Sequence, residues 1–287
     1  MALLTKKIDF AIIMSVKNAN PNGDPLNGNR PRTDYEGYGE ITDVCLKRKI
    51  RDRLMEAEKD IYVQSDDNKK DEFKNLKDRA IAVLGKIENI KDIRRKACET
   101  WFDVRAFGQV FPFKGNSKKK GQDASDTEGD TKGVSIGIKG PVSIQPAFSL
   151  ESVESWIISD QIVKSTSLEG DGINRQPDQM GTKHRIGKKI VYVTYGSMNP
   201  QLAERTGFSD EDATVIKEVL PRLFENDASS ARPEGSMEVL KVIWWEHNCK
   251  SGQYSSAKVH HSLNVHTDGT YELTPLPKLV PEEILGF

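Results

Sequence analysis

Five apolar residues at strict two-residue spacing, Ile8, Phe10, Ile12, Met14 and Val16, constrain this chain more than any other feature. Successive side chains of a strand point to opposite faces, so this period predicts a β-strand with one apolar face. The next segment, Asn18 to Gly39, holds Asn-Pro, Asn-Gly, Asp-Pro and Arg-Pro steps that exclude regular structure. A loop of that length inside a compact domain is as a rule functional or disordered. Thr42 is then placed to cap a helix running to about Glu58, with Asp43 complementing the dipole of its first turn. Leu46, Ile50 and Leu54 fall at i, i+4 and i+8 and give that helix one buried stripe.

The remaining pattern extends this beginning. A second helical region is expected from about Asp71 to Ala97, with Phe73, Leu76, Ala80, Val83, Leu84 and Ile87 on its apolar face. Trp101 to Phe113 reads as extended or mixed. Gly115 to Gly133 has no aromatic and no aliphatic larger than Ala124, so a disordered loop is expected. Alternation returns at Val134, Ile136 and Ile138, then at Val142 and Ile144. Ser159 to Lys189 is polar and glycine-rich between strand-like Trp156–Ile158 and Ile190–Val193, which predicts a long β-hairpin arm with an irregular tip. A helix over Asp210–Phe224 capped by Ser209, a last strand over Met237–Glu246 and a weakly patterned tail from Ser251 complete the reading. Without its insertions the order is strand, helix, strands, helix, strand. That is an α+β chain of the split βαβ kind shared by ferredoxin-like and RNA-recognition folds, and such a fold fixes no function.

Composition removes several classes. Lys plus Arg total 42 against 43 Asp plus Glu, so any nucleic-acid contact must rest on local clusters of base. Three distant cysteines, Cys45, Cys98 and Cys249, argue against a disulfide framework and for a reducing cytoplasm. Met1 to Phe10 does not read as a signal peptide, and no stretch approaches the ~18 apolar residues of a membrane span. Walker, dinucleotide-binding, G-x-S-x-G and H-E-x-x-H motifs are absent. His247, Cys249, His260, His261 and His266 do not have standard zinc spacing, so neither metal nor cofactor is expected.

The candidate chemistry is therefore backbone binding. The first helix carries Lys47, Arg48, Lys49, Arg51 and Arg53, with Lys47 and Arg51 flanking the apolar stripe on one side and Lys49 and Arg53 on the other. Such cations displace counterions from a nucleic-acid backbone, while the plain alternative is a solvated helix face. The preceding loop adds asparagines that donate and accept, glycines that admit close backbone approach, and Arg30 and Arg32. Its plain alternative is a mobile surface loop. Arg105–Phe111 faintly echoes an RNA-recognition strand, although Gln109 and Pro112 stand where aromatics belong and core packing suits Phe107 and Phe111 better. The arm's tip offers Arg175, Met180, Lys183, His184 and Arg185, in which Met180 is either a wedge between stacked bases or a packing residue of its own hairpin. Asp24 and Asp34 sit in the loop before the first helix and could act as acid or base in RNA cleavage, and an isolated loop aspartate is more often a turn former.

Asn22-Gly23-Asp24-Pro25-Leu26-Asn27-Gly28-Asn29-Arg30-Pro31-Arg32, Gly39-Glu40-Ile41-Thr42-Asp43-Val44-Cys45-Leu46-Lys47-Arg48-Lys49-Ile50-Arg51 and Phe102-Asp103-Val104-Arg105-Ala106-Phe107-Gly108 together resemble the backbone subunit of the type I-C CRISPR Cascade, within the RAMP superfamily. The resemblance covers nearly the whole chain and is most specific at the N-terminal motif. It implies one elaborated RRM-like domain over residues 1–287: a palm (1–60, 134–158, 188–250), a helical finger insertion (about 61–133), a β-hairpin thumb (about 159–187) and a tail (251–287). It also implies a non-catalytic cytoplasmic protein that oligomerises helically along crRNA in antiviral defence. Its partners would be further copies of itself, the repeat-processing, large and small Cascade subunits, and target DNA reached through the guide. The RNA-facing role carries over to Asn20, Asn27, Arg30 and Arg32, to Lys47, Arg48 and Arg51, and to Met180, Lys183, His184 and Arg185. Two other classes remain at this stage: an endoribonuclease using Asp24 or Asp34, and a ferredoxin-like protein-interaction domain that binds no nucleic acid.

Overall fold

The structure is a computed structural model that describes residues 2–85, 89–112, 135–163 and 179–287. Strand β1 (Ile8–Val16) is followed by the two-residue strands β2 (Gly23–Asp24) and β3 (Arg30–Pro31) and by β4 (Tyr38–Ile41). Helix α1 (Asp43–Glu56) begins at Thr42, whose hydroxyl accepts the Cys45 N–H at 3.2 Å. Helices α2 (Leu76–Leu84), α3 (Ile90–Thr100) and α4 (Phe102–Phe107) precede strands β5 (Gly108–Pro112) and β6 (Ser135–Lys139). Then come β7 (Val142–Ile144), β8 (Ala147–Ser152), β9 (Ile157–Val163), β10 (Gln179–Ile186) and β11 (Ile190–Met198). The last third holds α5 (Pro200–Thr206), α6 (Asp210–Val219), β12 (Met237–Glu246), α7 (Ser256–His260), β13 (Leu263–Val265), β14 (Tyr271–Leu273) and β15 (Glu282–Leu285).

The main sheet is antiparallel in the order β15-β12-β1-β11-β8-β4, and β7 also pairs with β11. Its central four strands, β12-β1-β11-β8, are the fourth, first, third and second strands of a ferredoxin-like unit, with α1 after the first and α6 after the third. The α+β reading therefore stands. The apolar stripe of α1, Leu46, Ile50 and Leu54, packs with Phe10, Ile12 and Met14 of β1 and with Ala213 and Ile216 of α6. A reciprocal capping box between Ser209 and Asp212 starts α6.

Strand β1 departs from the expected half-buried pattern, because all nine of its residues are buried. The second face is covered by the C-terminal segment: Ala11 packs with Ile243, Trp245, Val259, Leu263 and Leu279. Asp9, Ala11 and Ser15 on that face are small or polar and hide this packing from a periodicity argument. Met237–Glu246 forms as expected but is not the last strand, since β15 pairs with β12 and extends the sheet. Part of Asn18–Gly39 is regular after all, as β2 and β3 form a minimal hairpin around a 3-10 turn at Pro25–Asn27.

Between α1 and β7 the chain builds a second core from Tyr62, Ala80, Leu84, Ile93, Trp101 and Phe111. The helical region expected over Asp71–Ala97 is two helices, with Phe73 ahead of α2, Leu76 exposed and Ile87 outside the described residues. The stretch expected to be extended or mixed forms α4 and β5 as far as Pro112, and Phe113 lies outside the described residues. The Arg105 guanidinium grips Asp212 through two hydrogen bonds of 2.8 and 2.9 Å and so ties α4 to α6. Phe111 is buried in this second core, which settles its role as packing. The loop expected over Gly115–Gly133 lies outside the described residues.

The arm stands where a ferredoxin-like unit has the turn between its second and third strands. Strand β9 pairs with β10 in antiparallel register, Ser159 opposite His184. The returning strand of the hairpin is therefore β10, whereas Ile190–Val193 belongs to β11 of the main sheet. Met180, Lys183, His184 and Arg185 accordingly lie on a strand of the stem and not at a tip. Arg175 lies outside the described residues.

Candidate nucleic-acid interface

The loop after β1 is fixed on three sides. Towards the arm, Asn18 N–H donates to Ile186 O (2.7 Å) and Ile186 N–H to Ala19 O (2.8 Å). On the other flank Lys17 N–H donates to Ser236 O and Asn20 N–H to Ala231 O, both at 2.8 Å. Towards α1, the Asn22 carboxamide oxygen accepts the Thr42 N–H (3.0 Å) and hydroxyl (2.9 Å). Asn18, Gly28 and Asn29 adopt positive φ, which glycine and asparagine tolerate best. The buried Asn20 donates to Asn29 O at 2.7 Å, bracing the hairpin from inside, and leaves Asn27 exposed at its turn. These bonds replace the mobile-loop alternative with a held platform.

Several cations at this platform have no carboxylate of their own. Arg30 and Lys183 are half-buried and Lys17 is exposed, and none has an ion-pair partner among the described residues. Arg32 stands 3.5 Å from Asp24. Arg185 joins arm to loop, donating to Asp160 (2.9 Å) and to the Asn18 side chain (3.0 Å). His184 is buried against the Ser159 hydroxyl at 2.8 Å, so it serves the stem.

Helix α1 behaves differently. Lys49 and Arg53 were expected to flank the stripe in solvent, but both are buried, Lys49 on Asp227 and Arg53 on Glu56. Neighbouring segments that a helical wheel cannot represent cover that side. Burial, the largest influence, pushes the Lys49 ammonium down against the raising pull of Asp227. Arg51 donates to the buried Asp103 at 2.9 Å and lies over the Phe107 ring. Lys47 faces Asp43 at 2.9 Å. Arg48 is the most exposed of the five, 4.0 Å from Asp52. With Val44, Arg51, Val63, Gln64, Ser65 and Asp66 it lines an open groove of about 450 Å³.

The loop carboxylates make turns. Asp24 accepts the Leu26 N–H at 3.1 Å, and Asp34 accepts the Glu36 and Tyr38 N–H groups, each at 2.9 Å. Of the histidine cluster, His247 and His260 converge on Asp9 on the other side of the sheet. His247 Nδ1 accepts the Gln253 N–H (2.9 Å), so its Nε2 donates to Asp9 (2.9 Å). Burial pushes the Asp9 carboxyl up, but hydrogen bonds from His247 and Ser256 and the charge of Lys7 outweigh it and hold it below its usual range. No group of three or more metal-ligating side chains occurs among the described residues.

An elaborated ferredoxin-like protein with a cation-bearing loop platform at the root of a β-hairpin arm is the class this arrangement defines. The family model described as CRISPR-associated protein Cas7 matches residues 6–277, and the chain belongs to that family. A CRISPR-associated protein Cas7 of Haloferax volcanii is 28% identical over 281 residues, covering 95% of this chain and 79% of its own. Among solved structures, a chain of a "CRISPR RNA-guided surveillance complex, pre-nicking" is 13% identical with a TM-score of 0.45, over 84% of this chain and 78% of that one. A chain of another "CRISPR RNA-guided surveillance complex" is 16% identical with a TM-score of 0.43, over 92% and 77%.

Proposed function

We propose that this chain is a non-catalytic, crRNA-binding backbone subunit of a type I-C CRISPR surveillance complex working in the cytoplasm. Copies stack along the guide, hold its phosphates and leave the spacer to pair with target DNA, beside the repeat-processing, large and small subunits. The observation that carries this reading, in a Cas7-family chain, is the meeting of the loop after β1 with the root of the arm, where Arg30, Lys183 and Lys17 have no carboxylate partner among the described residues. Unpaired cations on a held backbone suit a phosphate chain, and base pairing then supplies the sequence reading.

On this reading the palm is residues 1–60, 134–158 and 188–250, the finger about 61–133 and the thumb about 159–187, while the tail 251–287 completes the sheet. Asn27, Arg30, Arg32, Lys183 and Arg185 face the guide, with Arg48 joining from α1, while the buried Asn20 braces the loop from behind; the role given to Met180 of β10 rests on the resemblance alone. Lys47, Arg51 and His184 contribute secondarily, since each is held by a partner away from the loop after β1. The turn bonds of Asp24 and Asp34 favour no cleavage role.

Extraction and sequencing of nucleic acid from the purified protein tests the assignment. RNA with a constant repeat-derived flank and variable spacers is expected, uncut on incubation with divalent metal. Absence of nucleic acid would sink it, and turnover lost in Asp24→Ala would establish a nuclease. Replacing residues 164–178 by a tight turn should leave the monomer folded and abolish assembly on guide RNA. Normal filaments from that variant would refute the thumb's part.

A further inference from the structure

Residues 226–236, between α6 and β12, carry no motif, yet they run beside the loop on which the interface depends. Asn20 N–H and Lys17 N–H donate to Ala231 O and Ser236 O. Arg232 directly follows Ala231. Its backbone is pinned by a turn in which Ser229 N–H donates to Arg232 O (2.8 Å) and Arg232 N–H to Ser229 O (3.1 Å). Its Nε donates to Asp227 Oδ2 at 3.0 Å, and the same oxygen also accepts Lys49 Nζ.

Two cations therefore share one anion. Of the pair, the Lys49 side chain is 3% exposed and Arg232 25% exposed, so the surplus positive charge is presented by Arg232. Asp227 occupies only the inner edge of the guanidinium. The terminal nitrogens donate no hydrogen bond among the described residues. A fork of N–H donors, oriented from behind and open in front, fits two oxygens of one phosphate better than any single ammonium does.

We propose that Arg232 is a phosphodiester ligand for single-stranded RNA, forming a third wall of the interface beside the loop after β1 and the root of the arm. The proposal rests on the RNA-binding reading above and adds a residue that no sequence motif marks. The Lys49–Asp227 pair holds the guanidinium in place, so neutralising Arg232 leaves a balanced pair behind and the fold intact.

The test is binding of a fluorescein-labelled single-stranded RNA to the full chain across a salt series, with parent, R232Q, R232K and R30Q compared. R232Q should bind about tenfold more weakly, the scale of one lost charge-assisted hydrogen-bonding contact. Its plot of log affinity against log salt should be shallower by about 0.7, as for one phosphate contact on a single strand. R232K keeps the charge but not the fork, so a several-fold loss with the parental slope is expected. If R232Q matches the parent while R30Q is weakened, Arg232 lies off the RNA path and the proposal is overturned. If R30Q and R232Q both match the parent, the interface itself is wrong and this inference falls with it. Should R232Q fail to fold, R232K carries the test, and parental affinity in R232K overturns the proposal.

Discussion

Helix α1 and the loop before it hold the same kind of side chain and use it in opposite ways. The helix has the denser run of base, Lys47-Arg48-Lys49 with Arg51 and Arg53, yet Lys49, Arg51 and Arg53 are spent on Asp227, Asp103 and Glu56. The loop and the arm root have fewer cations, but Arg30 and Lys183 answer no carboxylate among the described residues. Local density of base is thus a poor guide to an interface. What matters is whether the fold brings an anion to each cation, and that is a tertiary fact.

The sharpest way to break this contrast is at Asp103, which accepts Arg51 Nε (2.9 Å) and the N–H groups of Tyr62 (2.7 Å) and Val63 (3.1 Å). Asp103→Ala strands a mostly buried guanidinium and two backbone donors, and a loss of about 3–5 kcal/mol in unfolding free energy is expected. Denaturant titration measures it, and RNA affinity per folded molecule should stay within about twofold if Arg51 is structural. A binding loss much larger than that would return Arg51 to the interface. Arg30→Gln is the mirror experiment. It should cost about tenfold in affinity at every spacer sequence and leave the melting temperature nearly unchanged, because phosphate contacts carry no sequence information.

Acidification separates front from back. Burial pushes the His260 imidazole down from its usual 6.5, against the raising pull of Asp9 and a hydrogen bond to Gly196 O. A folded value below the unfolded one means that the unfolded chain binds more protons, so this stabilisation is present above about pH 6.5 and declines as pH falls through the folded value. The depressed Asp9 carboxyl adds a further loss below 3.8. The melting temperature should therefore fall from about pH 7 to pH 5, and less steeply in His260→Gln. The arginines and lysines in front stay charged across that window, so RNA affinity of the folded protein should stay flat. A steep pH dependence of binding would show that a titrating group meets the guide. Lys47→Gln should do least. Its i,i+4 pair with Asp43 is worth about 0.3–0.5 kcal/mol, within reach of careful thermal melts, and affinity should move by less than about twofold.

Much of the palm could be read from the sequence because its signals are local. Thr42 and Ser209 announce helix starts through their own hydroxyls, and β1 and β12 form over the residues that their apolar character marks. The tail from Ser251 could not be read so, because its strand β15 takes its partner β12 from far away and its core is completed by Ala11 of β1 with Leu263 and Leu279. The site divides along the same line. Arg30, Arg32 and Asn20 were visible in a Pro- and Gly-broken loop before a basic helix. Arg232 was not, since its segment reaches the loop only through long-range backbone bonds, Asn20 to Ala231 and Lys17 to Ser236. Lys49 and Arg53 were misplaced for want of the segments that cover them.

The arm's attachment has a mechanical consequence. Ile186, the last residue of β10, exchanges backbone hydrogen bonds with Asn18 and Ala19, and Arg185 beside it holds the Asn18 side chain. Arm and loop are thereby spliced at the stem, a short distance from the palm strand β11 that follows. A lateral load on β9 and β10 acts as through a crowbar, with the sheet as fulcrum, and arrives at the splice as shear across bonds that share it. On the proposed reading, traction on the arm would then be felt at the loop that holds the guide.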